Sequence, residues 1–332
     1  MRIIKDRIRA VLLGTFSCLT IMSSLCANEV VITPSTTLEQ HPMTIDIFTE
    51  LLYWYTSEAV DWAFTLSQDQ NSETSSFKTF VFDWAPGFRV GLGRNMHDNW
   101  KTHIGYSWFR SKAQAHTQGD VTPAFFAARL SALEPFAAGE ASLNLHYNIF
   151  DWELVRTFLI SQYLYLEPSI GLKGGWIKQI IHSRWTLYIL DVLPFYAIED
   201  LHQTFQGGGP KGALGAKWLF DSTQKYAFSL IGQFEVGYLW GHWSIRDEFI
   251  DDLDTIITVK TSERNYGALM LHSFLGFGWD YNFNSDKTHV GIKLGYEIED
   301  WVNQCQIFTD SSGSQNNDLI LQGFTLGVRF DF

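Results

Sequence analysis

Residues 318–332, DLILQGFTLGVRFDF, decide how this chain folds. Counted back from Phe332, every second residue is apolar: Phe330, Val328, Leu326 and Phe324. Between them stand Asp331, Arg329, Gly327, Thr325 and Gly323, which are charged, small or polar. A period of two held over this length predicts a β-strand whose faces meet different media. A soluble strand of this kind packs its apolar face on a core supplied by helices or a second sheet. Here the same strand type recurs about ten times, and no convincing core helix accompanies it. The solution is all-β: a transmembrane, antiparallel, up-and-down β-barrel of about ten strands. Its apolar face meets lipid, its other face lines a lumen, and closure leaves no unpaired backbone edge in hydrocarbon.

Composition agrees with that reading. The chain has 332 residues, of which 46% are hydrophobic and 16% aromatic. With a mean hydropathy of -0.05, it is too polar for a bundle of membrane helices and too aromatic for disorder. Residues 1–27 read as a cleaved secretory signal peptide: Arg2, Lys5, Arg7 and Arg9 form a basic start, an apolar run follows, and Ser24, Leu25, Cys26 and Ala27 form the exit. An uncleaved anchor helix is the weaker alternative, because the run is short and holds Thr and Ser. Residues 28–42 are a polar lead-in on the periplasmic side, and residues 43–332 are the barrel. The whole chain carries a net charge of −12, and the leader removes mostly basic residues, so the exported part is more acidic still. Such a surface repels nucleic acid and excludes it as a partner. Cys18 and Cys26 leave with the leader, so Cys305 is a lone thiol and no disulfide framework holds the fold.

Strands are expected at 44–57, 77–95, 100–111, 139–152, 162–178, from 207 to about 220, 225–243, 265–283, 289–302 and 318–332. Short connections at 96–99, 156–161, 221–224 and 284–287 alternate with long ones at 67–76, 112–138, 179–206, 246–264 and 310–317. Short periplasmic turns and long outer loops are what transmembrane barrels show. Tyr53, Tyr55, Trp100, Trp240, Trp279, Tyr281 and Trp301 gather near strand ends, where amphipathic rings favour the interfaces.

Parity nominates the lumen. Asp46, Glu50, Arg89, Lys101, Asn144, His146, Glu167, Lys173, Lys217, Glu235, Lys293, Glu297 and Arg329 are expected to line a pore. The strand at 139–152 alternates most cleanly, and is read with Leu143, Leu145, Tyr147 and Ile149 toward lipid and Ser142, Asn144, His146 and Asn148 toward the lumen. Acids and bases balance on the inward face, which fits either a salt-bridged structural lumen or a channel of weak ion preference. Inward glycines such as Gly91, Gly105, Gly276 and Gly295 leave room for water, or let strands coil tightly. Ten strands imply a narrow bore. Residues 124–138, with Phe125, Phe126, Leu130, Leu133 and Phe136, have rough helical spacing and are expected to cap the rim rather than constrict the mouth. The acidic run Asp247, Glu248, Asp251, Asp252 and Asp254 reads as a solvated loop that draws cations; the spacing of a calcium loop is absent. No nucleophile elbow, His-Glu-x-x-His, Cys-x-x-Cys or complete phosphate loop occurs, and His182, His202 and His242 read as loose histidines on wet strands. Neither an enzyme, a metal site nor a cofactor is therefore expected.

Several stretches resemble one family, the Legionella-type major outer-membrane proteins, a pore-forming group with relatives in environmental chlamydiae. They are LLYWY at 51–55, FDWAPGFRVG at 82–91, YNIFDWE at 147–153, EPSIGLKGGW at 167–176, GYE at 295–297 and the end of the chain from Gly323. The final strand, with Phe324, Leu326, Val328, Phe330 and Phe332 on one face, also resembles the terminal strand by which outer-membrane barrels are recognised for assembly. The resemblance implies a porin-like barrel in the bacterial outer membrane. Its expected partners are outer-membrane lipid, the barrel-assembly machinery and small polar solutes, with room for a homo-oligomer. The function expected is passive diffusion of ions and small polar solutes. The alternative is an adhesion or structural barrel with a closed lumen that acts through its outer loops.

Overall fold

Ten alternating segments close on one another through backbone hydrogen bonds. The computed structural model describes residues 45–69, 72–131, 133, 135–189, 193–223, 225–261, 264–283, 288–309 and 313–332; the leader and lead-in, 1–42, lie outside them. In chain order the strands are β1 (Ile45–Ser57), β2 (Asp61–Asp69), β3 (Ser72–Thr79), β4 (Trp84–Asn95), β5 (Trp100–Pro123), β6 (Phe136–Arg156), β7 (Phe158–Ser161) and β8 (Leu164–Ile189). There follow β9 (Leu193–Ser222), β10 (Tyr226–Asp251), β11 (Ile256–Lys260), β12 (Arg264–Phe283), β13 (Thr288–Thr309) and β14 (Gly313–Asp331), with one short helix, α1 (Phe126–Arg129), between β5 and β6. The ring runs β1–β4–β5–β6–β8–β9–β10–β12–β13–β14 and back to β1, antiparallel throughout. The hairpin of β2 and β3 leans on β5, while β7 and β11 pair only with β8 and β10. Among the described residues no helix is long and apolar enough to cross a membrane; strands do the crossing.

An even strand count brings both ends of the barrel to the short-turn side, where Ile45 and Phe332 exchange backbone hydrogen bonds of 3.0 Å. The turn from β4 to β5 places Asp98 and Asn99 at φ of 60° and 61°, a left-handed conformation that these two residue types tolerate better than most. The lipid belt is continuous across the closure. Phe277, Leu294, Leu326, Leu51 and Phe88 lie in direct cross-strand register from β12 to β4, all at least 40% exposed. In water a row of this kind would be a liability; against lipid it needs no cover.

The wall is taller than the belt. β4 has 12 residues and β1 has 13, but β8, β9 and β10 have 26, 30 and 26. A membrane crossing needs only roughly 9–11 tilted residues, so β5, β6, β8, β9 and β10 stand well out of the membrane on the side away from Ile45 and Phe332. The stretches 112–138 and 179–206, expected as long loops, are largely these strand extensions. Their pattern is hard to read because the strands keep their parity while the chemistry of the two faces trades places. On β8, even residues face outward throughout: Ile170, Leu172 and Trp176 in the belt, then Lys178, His182 and Arg184 above it. Odd residues face inward: Glu167 and Lys173 below, then Ile177, Ile181 and Trp185 above.

Candidate functional site

Within the belt the barrel interior is a lattice of ion pairs. Arg89 on β4 reaches Glu50 on β1 at 2.5 Å and Glu297 on β13 at 3.5 Å, while Lys293 meets Glu50 at 2.6 Å. Across the bore Lys173 lies 2.9 Å from Glu235, and Lys211 bridges Glu235 at 3.1 Å and Asp151 at 2.9 Å. Nearer the termini Lys217 pairs with Asp280 at 2.5 Å, Lys101 with Glu167 at 3.4 Å, and Arg329 with Asp331 at 3.2 Å. Three histidines complete the lattice: His103 beside Glu153 at 3.4 Å, His272 beside Glu297 at 2.9 Å, and His289 between Asp280 and Asp331 at 3.1 and 2.5 Å. Charges held out of bulk water persist only when paired and hydrogen-bonded in this way.

Above the lattice the bore is filled by hydrocarbon. Leu52 and Trp54 on β1, Phe109 on β5, Tyr147 and Ile149 on β6, Ile177 on β8, Phe205 on β9, Leu239 and Trp243 on β10, Met270 on β12, Trp301 on β13 and Leu321 on β14 are all at most 1% exposed. These residues come from nine of the ten strands. On the tenth, Gly87 of β4 abuts Phe109. Two carboxylates join the plug to the lattice. Glu297 accepts from Trp54 Nε1 at 3.2 Å and from the Thr325 hydroxyl, and Glu299 accepts from Tyr147 Oη at 2.5 Å and Trp301 Nε1 at 2.6 Å. Every ring that carries a polar atom at this level therefore has a partner for it, as burial demands.

Several inward glycines seat rings. A methyl group at Gly207 would come within 2.5 Å of the Phe205 ring, and one at Gly276 or Gly295 within 2.8 or 2.6 Å of Phe274. Phe48 lies over Gly91 and Gly105 in the same way. Large rings fit inside a ten-stranded barrel because the neighbouring strand offers no side chain.

The outer mouth is closed from above. Phe125, Ala127 and Ala128 are fully buried, so the segment expected at the rim enters the mouth. It is held there by two acids on strands that the sequence assigned to loops: Ala127 N–H donates to Asp247 Oδ2 at 3.1 Å, and Ala128 N–H to Glu199 Oε1 at 2.8 Å. Both carboxyls stand above the belt. Burial, reinforced by Asp247, pushes Glu199 well above the usual carboxylate range, and burial pushes Asp247 up to about 6. The acidic run is thus a solvated loop only at Asp252 and Asp254, which are exposed in the turn after β10. Asp247 and Asp251 are buried on β10, and Asp251 Oδ1 accepts from the Leu253 and Thr255 amides at 2.9 Å. Just beyond β1, burial pushes Glu58 up to about 7; its Oε1 lies 2.6 Å from Gln179 Nε2, and Cys305 is buried beside it.

Of the residues expected to line a pore, the structure brings Asp46, Glu50, Arg89, Lys101, Glu167, Lys173, Lys217, Glu235, Lys293, Glu297 and Arg329 into the lattice side of the wall. Asn144 and His146 lie elsewhere. On β6 the odd residues Leu143, Leu145, Tyr147 and Ile149 are buried inside, and the even ones face out. This part of β6 has risen above the membrane, where water lies outside and the apolar side must turn in. The same inversion hid Asp151 and Glu153, which face the bore lower on the strand. A small signal was available: Phe150 and Trp152 continue the polar parity of 142–148 as aromatics, marking where the outer medium changes. Phe324, Leu326 and Phe330 are outward and exposed on β14, and Phe332 follows at its end.

The family model described as Legionella pneumophila major outer membrane protein precursor matches residues 38–332. A search of curated protein sequences returns no match. Among solved structures, the outer membrane protease OmpT of Escherichia coli is 13% identical, with 90% of this chain and 100% of that chain covered and a TM-score of 0.40. A Pseudomonas aeruginosa FadL homologue is 8% identical over 89% of this chain and 90% of that chain, at a TM-score of 0.28. The toluene transporter TodX of Pseudomonas putida is 9% identical over 87% and 90%, at 0.26.

Proposed function

The chain belongs to the Legionella pneumophila major outer membrane protein family and is a bacterial outer-membrane β-barrel; from that premise we propose that it is a structural, surface-presenting barrel whose lumen is closed at rest. One observation carries the reading: the layer from Trp54 to Trp301 leaves no side chain within reach of water, and the strands around the ring contribute to it. What such a barrel offers is a rigid β-wall, built from β5, β6, β8, β9 and β10, raised outside the cell on a membrane-locked base. The leader is removed on export, and the outward aromatics of β14 serve the assembly machinery. No covalent chemistry is assigned to it.

Planar-bilayer recording of refolded protein tests the proposal. A silent bilayer with correctly folded barrel is expected, and discrete conductance steps from the wild type at low voltage would overturn it. A second reading, a gated pore for ions and small polar solutes, is favoured by the polar lattice in the lower bore. It requires the rings around Trp54 and Trp301 to move, and it would announce itself as steps that appear only above a voltage threshold.

A further inference from the structure

The outward face just above the belt is not uniform around the ring. Trp84, Trp176 and Trp240 mark the upper edge of the belt, each more than 40% exposed. One step higher on β5, β6 and β8, Arg110, His146 and Lys178 stand in direct register, and Lys112 tops the next row beside Asn144. At the height of Lys178 on the neighbouring β9 and β10, the same face carries Thr204 and Ser244 instead. The basic sector lines a cleft of about 440 Å³ whose walls include Trp84, Arg110, Lys112, Asn144 and His146, with Asp83 as the carboxylate on its lining.

Among the described residues, none of Arg110, Lys112 and Lys178 forms an ion pair with a carboxylate; Arg110 instead rests over the Trp108 ring at 5.3 Å. That is unusual on a chain of net charge −12, in which the interior cations are paired. Directly below the cleft the surface turns apolar and aromatic: Phe88 stacks on Trp108 at 5.4 Å, and Tyr106, Phe150 and Trp176 continue it with ring separations of 4.7 and 6.1 Å. A soluble anion would use the upper half of this surface alone. An amphiphile would use both halves, with acyl chains along the rings and phosphate among the cations, at the depth where a headgroup sits.

We infer that the outward face of β5, β6 and β8 is a binding site for a phosphate-bearing lipid of the outer leaflet, held by Arg110, Lys112, His146 and Lys178 above the Trp108–Phe150–Trp176 rings. The site lies outside the barrel and is independent of whether the lumen is open or closed.

The test uses the full-length barrel in phosphatidylcholine nanodiscs with and without a minor fraction of lipid A, a bisphosphorylated glycolipid, and reads the lipid retained per barrel by native mass spectrometry. Wild type is expected to retain lipid A. The triple variant Arg110→Gln/Lys112→Gln/Lys178→Gln is expected to bind it on the order of 10- to 100-fold more weakly, in line with the worth of a basic residue at a membrane surface. The variant Arg246→Gln/Lys260→Gln, on the far strands, is expected to match wild type. Equal retention by triple variant and wild type overturns the site, and so does inorganic phosphate that displaces lipid A at comparable concentration, since the site would then be one for free anions. Heat-modifiable gel mobility verifies that each variant is folded. Should the triple variant fail that check, the wild type decides alone: retention must fall as salt rises, and salt-independent retention overturns the inference.

Discussion

The lower and upper halves of this barrel are built from the same strands with opposite rules. Below Trp176 on β8, charge faces in and hydrocarbon faces out; above it, hydrocarbon faces in and charge faces out. β5 does the same, passing from outward Ile104 and Trp108 to outward Arg110 and Lys112, and from inward Lys101 and His103 to inward Phe109 and Ala113. No bulge or register shift is recorded between the two halves of β8, so the backbone contributes nothing to the change. The medium outside decides it. In lipid the outer face must be apolar and polar groups retreat inside to pair with one another; in water the ordinary hydrophobic economy returns. The lower half is held by lipid and ion pairs, and the upper half by a core of its own.

The largest effects should come from that core. Trp54→Ala or Trp301→Ala removes a fully buried ring and leaves Glu297 or Glu299 short of a donor, so each should cost about 3–5 kcal/mol. Trp240→Ala removes an equally large ring that is 62% exposed at the upper edge of the belt, and should cost much less. Urea unfolding in detergent micelles measures both. Similar losses at Trp54 and Trp240 would erase the distinction between core and belt.

The lattice should give effects of comparable size. Arg89→Met removes the cation that Glu50 and Glu297 share and leaves Lys293 beside the one and His272 beside the other, a loss of up to about 3–5 kcal/mol for a broken buried pair. Arg89→Met/Glu297→Met removes one of the two underpaired carboxylates too and should recover part of it. A double variant no better than the single one would mean that the lower interior is wet enough to screen these charges.

A smaller contrast tests the outer face alone. Leu172→Lys places a charge in the belt of β8 and should cost about 2–4 kcal/mol. His182→Leu, ten residues further along the same face of the same strand, lies where water is outside. It gives up only an exposed contact with Asp200 and should change stability by no more than about 1 kcal/mol. Equal penalties would mean that the belt reaches past His182.

What the sequence made legible follows from the same contrast. Alternation marks a strand and sorts its residues into two sets, and it did so along nearly every segment, the last strand above all. It does not say which set meets which medium. In the lower wall the assignment succeeded because Phe, Leu and Trp against Lys, Glu and Gly have one sensible orientation in a membrane. On β6 it failed at Asn144 and His146 because the membrane rule was applied to a stretch already in water. The upper parts of β8 and β9 read as loops in the sequence for a related reason: with Ser183 and Gln203 inside and Ile180 and Ile198 outside, neither face is pure. Glu199 and Asp247 could not be found this way at all, because their role depends on the α1 backbone, which no local pattern brings to them.

Those two acids give the finest test, since they close the upper half from the top. Carboxyls raised by burial bind protons more tightly in the folded mouth than in an unfolded chain. Their contribution is therefore full below their ordinary values of 4.5 and 3.8, and is lost as pH rises, through about 6 for Asp247 and through a point well above the usual carboxylate range for Glu199. Rising pH puts two negative charges side by side under α1, and Asp200 beside Asp247 adds to the repulsion. Arg129 at the end of α1 leans on Phe64 at 6.0 Å, so its guanidinium is directed partly to a ring. Hydrogen exchange at the Ala127 and Ala128 amides, corrected for intrinsic rates, should be slower at about pH 5 than at about pH 8. Glu199→Gln should flatten that difference while the amides of β14 in the belt stay unchanged. Protection that is equal at both pH values, or greater at the higher one, would show that the mouth is closed by the packing of Phe125 and Phe136 and owes nothing to a held proton.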